Sequence, residues 1–231
     1  MFHSVIPDEI RDDASRGLQR VEGHLRLPHG FVLGLLEESD WSFVIKLNAL
    51  FEDLVTAALA RQMTIVVDGG FAEEFGRLKY GDVACGKLAF LQRLGSVDGS
   101  DIKFIRSLCE LRNQLAHGIS KLAFSFDAHV VRLDENQEKS FIQRFTSSGA
   151  FLCQQEVFGE PREAKKALAF PKEFIFCGAV DVAHVLDCMI LPTEYQDALR
   201  DHVSSIFQAI NEAASKSALE GLSSDNAESS G

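Results

Sequence analysis

The chain has 231 residues, 46% hydrophobic and 25% charged, the balance of a globular domain able to bury a sizeable core. Its net charge of -11, with no basic block longer than Lys165-Lys166, excludes a broad duplex-DNA surface, because counterion release needs clustered Lys and Arg. No apolar run approaches the roughly 20 residues of a membrane span, and Asp8, Glu9, Asp12 and Asp13 stand where a secretory signal would be basic and then apolar. The expected location is the cytoplasm, off the membrane.

Helical periodicity dominates the order of elements. "PDEIRDDASRGLQRVEGHL" opens with a proline and acids suited to a helix start, and "LPHG" at 27–30 breaks it before a short helix, "FVLGLLEES". "DWSFVIKLNALFEDLVTAALARQM" is the strongest helix; Phe43, Leu47, Leu50, Phe51, Leu54, Val55 and Ala58 share one face. Ala49, Thr56, Ala57 and Ala60 form a small-residue flank, and Asn48 and Glu52, four apart, share a third direction. Residues 64–82 read as a connection holding at most one short helix. "VACGKLAFLQRLGSV" is a helix ended by Gly95. "DGSDIKFIRSLCELRNQLAHG" is another, with Asp98, Ser100 and Asp101 as candidate caps and Gly118 in the C′ position.

Beyond Gly118 the pattern weakens. "KLAFSFDAHVVRL" alternates enough for a short strand or an extended loop, and residues 134–170 read as strand-turn-strand or as broken helix. Pro171 starts a long, largely buried helix, and Thr193 caps an amphipathic one running to about 218. The expectation is a single all-α domain, 1–220, with a small irregular or β addition. A disordered polar tail, 221–231, follows.

Five cysteines form no CxxC or CxxH pair, and no two of the seven histidines stand three or four apart. Neither a disulfide framework nor a metal site is expected, and no cofactor motif is present. The residues that invite chemistry lie in "RNQLAH": Arg112, Asn113 and His117. On a helical wheel Leu108, Leu111 and Leu115 fall with Phe104 on a core face, and Arg112 sits at its edge. Asn113 and His117 are i, i+4 neighbours able to touch, whereas Arg112 lies about 140° from His117. For the two to act together, the last turn must loosen at Gly118 or a second chain must complete the site. Taken singly, each residue has an ordinary structural reading: an arginine stem over apolar surface, and a histidine favoured by the helix dipole.

"RNQLAH" matches the R-x4-6-H signature of the HEPN superfamily of helical bundles. Together with "ESDW" leading into the long helix, "LQRLG", "LRNQLAH" and the following "SFD", it resembles the mannitol operon repressor branch of that superfamily over about residues 27–130. Trp41 and Ser42 stand where members often have Arg-Gly, so no role for a basic residue carries over there. Residues 134–170 match nothing in the family, and 171–218 form the C-terminal helices.

The resemblance implies two functions. The nearer relatives imply a regulator acting through protein contacts, with "RNQLAH" structural or at a dimer interface. The wider superfamily implies a metal-independent endoribonuclease of toxin or defence type, partnered by an antitoxin. In it His117 moves protons, Arg112 stabilises phosphorane charge by its bidentate fork, and Asn113 orients His117 or binds phosphate. Asn48 and Glu52 are the supporting candidates from the long helix. A homodimer with this turn at or near its interface is expected in both readings, and RNA is the ligand in the second.

Overall fold

The computed structural model describes residues 8–66, 72–82, 85–95, 97–148, 153–158 and 164–191. The chain divides into two units, Met1–Ile190 and Leu191–Gly231, and every helix among the described residues belongs to the first. The expected Thr193 helix and the expected disordered tail lie outside the described residues. Among those residues every regular element is a helix and none is a strand, so the chain is all-α.

Helix α1 spans Asp8–His24 and α2 Phe31–Gly34, continued by a 3-10 turn over Leu35–Glu37. The buried Glu22 carboxylate accepts the Gly30 and Val32 amides at 2.9 Å each, so α1 itself satisfies the first N–H groups of α2. The long helix α3 covers Asp40–Val66, α4 Ala72–Arg77 and α5 Lys87–Leu94, which ends in a left-handed Gly95 as its sequence requires. Helix α6 runs Gly99–Ala116, capped by Asp98, whose side chain accepts the Ser100 amide at 2.7 Å. Asp101 is no cap. It is buried and accepts the Ser148 amide, also at 2.7 Å.

Three helices carry the core. The apolar face of α3 is fully enclosed, with Phe43, Phe51, Leu54, Val55 and Ala58 at 0% exposure. It packs against α6 and, more extensively, against α11, Pro171–Ile190. Trp41 pairs with Leu115 and Phe51 with Phe104, so α3 and α6 are antiparallel. Lys172 meets Asp40 at 3.3 Å, and Gln62 donates to the Met189 carbonyl at 3.2 Å, so α3 and α11 run the same way. From Pro171 to Ile190 no α11 residue is exposed, as an all-round apolar helix at a core demands.

The stretch after Gly118 departs from the strand or extended-loop expectation. A 3-10 turn covers Ile119–Ala123, and α7 covers Phe126–Val130 with Ser125 as its cap. The residues that bury there are Phe126 and Val130, spaced by four, while Val131 is 85% exposed. Helical spacing overrides the weak alternation. Among the described residues of 134–170 broken helix is observed in place of strand-turn-strand. Helix α8 is Glu135–Arg144, α9 Cys153–Phe158 and α10 Ala164–Ala169. Gln154, only 5% exposed, fastens this segment to the core. Its amide donates to the Phe145 and Phe174 carbonyls at 2.7 and 3.0 Å and accepts from the Ser147 amide at 2.9 Å.

Candidate functional site

The "RNQLAH" segment forms the last turn of α6 and its exit. Helix dihedrals stop at Ala116; His117 is extended (φ -106°, ψ 115°). Gly118 follows at φ 95°, ψ 132°, a backbone that favours glycine, so the residue stands at C′ as expected. It does not adopt the left-handed helical geometry of a Schellman cap, and the chain leaves the helix extended. One terminal carbonyl is satisfied from elsewhere, since the Trp41 indole N–H donates to the Leu115 oxygen at 3.1 Å.

The three site residues are not brought together. Arg112 is half-buried and donates through Nη1 to Asn113 Oδ1 at 3.0 Å. The Asn113 amide turns back to Cys109, with Nδ2 at 3.9 Å from Sγ, and not forward to His117. The expected Asn113–His117 contact is therefore absent among the described residues, because His117 has already left the helix and its i, i+4 position. His117 is exposed and makes no hydrogen bond or ion pair among those residues. The last turn does loosen, yet loosening alone does not carry His117 to Arg112.

The supporting pair from α3 divides in role. Asn48 is only 3% exposed, and its Oδ1 has no hydrogen-bond partner among the described residues, so it is not the surface polar its helix position allows. Glu52 is half-buried and accepts from the Lys87 ammonium at 3.4 Å, a lysine itself buried at the start of α5. Around Glu52 stand two groups that carry no signal in the sequence. Burial raises the Cys109 thiol pKa; the Arg112 guanidinium works against that shift, and Glu52 adds to it. Burial likewise pushes the Tyr80 phenol well up, with the Cys109 and Glu52 charges adding to the effect. Hence Arg112, Cys109, Glu52 and Tyr80 share one electrostatic neighbourhood on one flank of α6, and His117 stands free at its end. Nothing in "RLKYGD" marks Tyr80 as a core residue; only the turn through Gly81, close to the Cys109 sulfur, delivers it.

The "ESD" and "SFD" segments meet beside this turn. Asp40 Oδ2 accepts the Phe126 amide at 2.8 Å, and the Phe43 and Phe126 rings pack edge to face at 6.0 Å. Glu38 accepts from Ser42 at 2.7 Å and pairs with Lys46. Asp40 and Trp41 therefore clamp both sides of the α6 exit. As a chemical device, the end of α6 offers an arginine with no carboxylate partner among the described residues and a histidine open to solvent. No hydrogen bond or ion pair joins the two among the described residues. Among the described residues no group of three or more His, Cys, Asp or Glu side chains could hold a metal ion, and no helix is long and apolar enough to cross a membrane. No family model, curated protein or solved structure matches the chain.

Proposed function

We propose that the chain is a regulatory protein that acts through protein contacts, similar to the mannitol operon repressors, and that the exit of α6 is its contact surface. One observation carries this reading. All residues from Ala116 to Ala123 are exposed, and among them Ile119 and Leu122 show 86% and 52% of their surface. Apolar side chains of that exposure beside a half-buried arginine suit a protein interface, where arginine is enriched and charge is depleted at the centre. The acidic net charge agrees with regulation that needs no direct duplex contact. The partner that supports this reading best is a second copy of the chain. Light scattering at micromolar concentration is expected to give a dimer, and Ile119→Asp a monomer that melts as wild type does. A wild-type monomer at every concentration would remove this surface from the proposal.

The second reading is a metal-independent endoribonuclease of toxin or defence type, with an antitoxin as protein partner. It is favoured by the same turn, since Arg112 and His117 carry no intramolecular ion pair among the described residues and are free for a phosphate and a proton. A dimer axis near the turn would bring His117 of one copy toward Arg112 of the other. Under this reading, single-stranded RNA is cleaved in the presence of EDTA. His117→Ala lowers the rate about 10²- to 10⁴-fold, and Arg112→Ala about 10²- to 10³-fold. No cleavage above background leaves the regulatory reading standing, and cleavage that both variants retain in full excludes the motif as its source.

A further inference from the structure

On the flank of α6 away from Arg112, a cleft of about 240 Å³ opens between α6, α7 and α8. Its floor is apolar, formed by Leu111, Phe141 and Phe145, each no more than 9% exposed. Its walls are polar and partly uncommitted. The Gln114 amide and the Ser140 hydroxyl, both lining the cleft, make no hydrogen bond among the described residues, whereas Ser107 is spent on the Lys103 carbonyl. Glu110 from α6 and Arg144 from α8 line the cleft side by side as a loose ion pair, one carboxylate and one guanidinium. They lie 3.7 Å apart, beyond hydrogen-bond reach, with side chains 61% and 50% exposed. Neither has another ion-pair or hydrogen-bonded partner among the described residues.

We propose that this cleft binds a free α-amino acid with an apolar side chain. The charge pattern selects a zwitterion. A simple anion would meet Glu110 and a simple cation Arg144, each a like-charge contact, whereas an ammonium and a carboxylate on one carbon satisfy both. The spacing agrees, since those two groups of an amino acid lie about 3 Å apart by standard bond lengths. Arg144 takes the carboxylate by its fork and Glu110 takes the ammonium, while the apolar side chain rests on Leu111, Phe141 and Phe145. The volume falls below the roughly 300–1,000 Å³ of pockets for drug-sized ligands, so the guest is small. His129, also lining the cleft, adds little to this balance: burial and then Arg132 lower its pKa, disfavouring its charged form. The site is independent of whether "RNQLAH" is catalytic or structural.

Calorimetric titration of the full chain with L-leucine and L-phenylalanine tests the assignment. Saturable binding of at least one is expected, weakened about 10- to 100-fold in Glu110→Gln and in Arg144→Gln, the usual consequence of losing a charged hydrogen bond. Isocaproate and isoamylamine, which each lack one charge of leucine, are expected to lose affinity to a similar extent. These analogues test the site even where a variant fails to fold. The proposal is overturned by the absence of saturable binding for both amino acids, by equal affinity for either singly charged analogue, or by folded variants that bind as wild type does. A neutral sugar or nucleobase that binds while both amino acids do not would also overturn it.

Discussion

At the scale of single residues, Trp41 shows how one side chain from α3 completes the end of another helix. The indole is half-buried and occupies a carbonyl of the last α6 turn. Trp41→Phe keeps an aromatic ring there and removes the N–H donor together with the second ring of the indole. It is expected to cost about 1–3 kcal/mol in a urea unfolding experiment, because the Leu115 oxygen loses its partner in a partly dry environment. An unchanged midpoint would show that solvent serves this carbonyl equally well. Wheel geometry alone implies the poor convergence of Arg112 with His117, and that part was legible in the sequence. What was not legible is the turn of the Asn113 amide toward Cys109, since a wheel assumes that the helix continues past Ala116.

At the scale of elements, the long helices were readable because each carries a wide apolar face at 3.6-residue spacing. Leu47, Leu54, Leu108, Leu111 and Leu115 all lie in the core, as that spacing predicts. The short helices between Gly118 and Pro171 were not readable, since five or six residues, or ten in the longest, carry too little periodicity for either pattern to win. One local signal does mark the longest of them: Asp134 and Gln137 form a reciprocal capping box, the sequence mark of a helix start at Glu135. The tie between α11 and the 145–154 segment required tertiary contact and had no local signature. There a Cβ on Gly178 would stand 2.8 Å from both Gln154 Nε2 and the Phe104 ring, and 3.1 Å from the Phe145 carbonyl. Alanine at an exposed mid-helix position would gain about 1 kcal/mol over glycine, but overpacking costs about 1–3 kcal/mol. Gly178→Ala is therefore expected to lower the melting temperature, and a raised one would mean that α11 can shift without loss.

At the scale of the whole folded unit, stability is expected to depend on acid through His184. Its imidazole faces α1, with the Arg20 and His24 side chains nearby on Asp187, one turn further along α11. Burial first, and the Arg20 guanidinium second, hold its pKa at about 4, against Asp187 acting the other way. An unfolded chain takes up that proton near pH 6.5. Between the two values the unfolded state binds more protons, so this contribution is full above about pH 6.5 and is lost as the pH falls toward 4. Its size is about 2–4 kcal/mol by the same linkage. The buried Asp101 carboxyl, raised by burial, acts in the opposite sense, so the useful quantity is a difference. Urea midpoints of wild type and His184→Gln are expected to diverge less at about pH 4.5 than at about pH 7; parallel profiles would remove His184 as the cause.

The indole of Trp41 has one more consequence. It is the only tryptophan in the chain, and it sits against the turn on which both functional readings depend. Its emission is thus an optical signal from a single place, without the averaging that several fluorophores impose. A dimer partner, an RNA strand or a loosened last turn would each change the polarity and quenching around that one ring. The two tyrosines excite poorly at the red edge of tryptophan absorption, so light of that wavelength interrogates the α6 exit alone. The chain carries its own probe where a label would otherwise have to be placed.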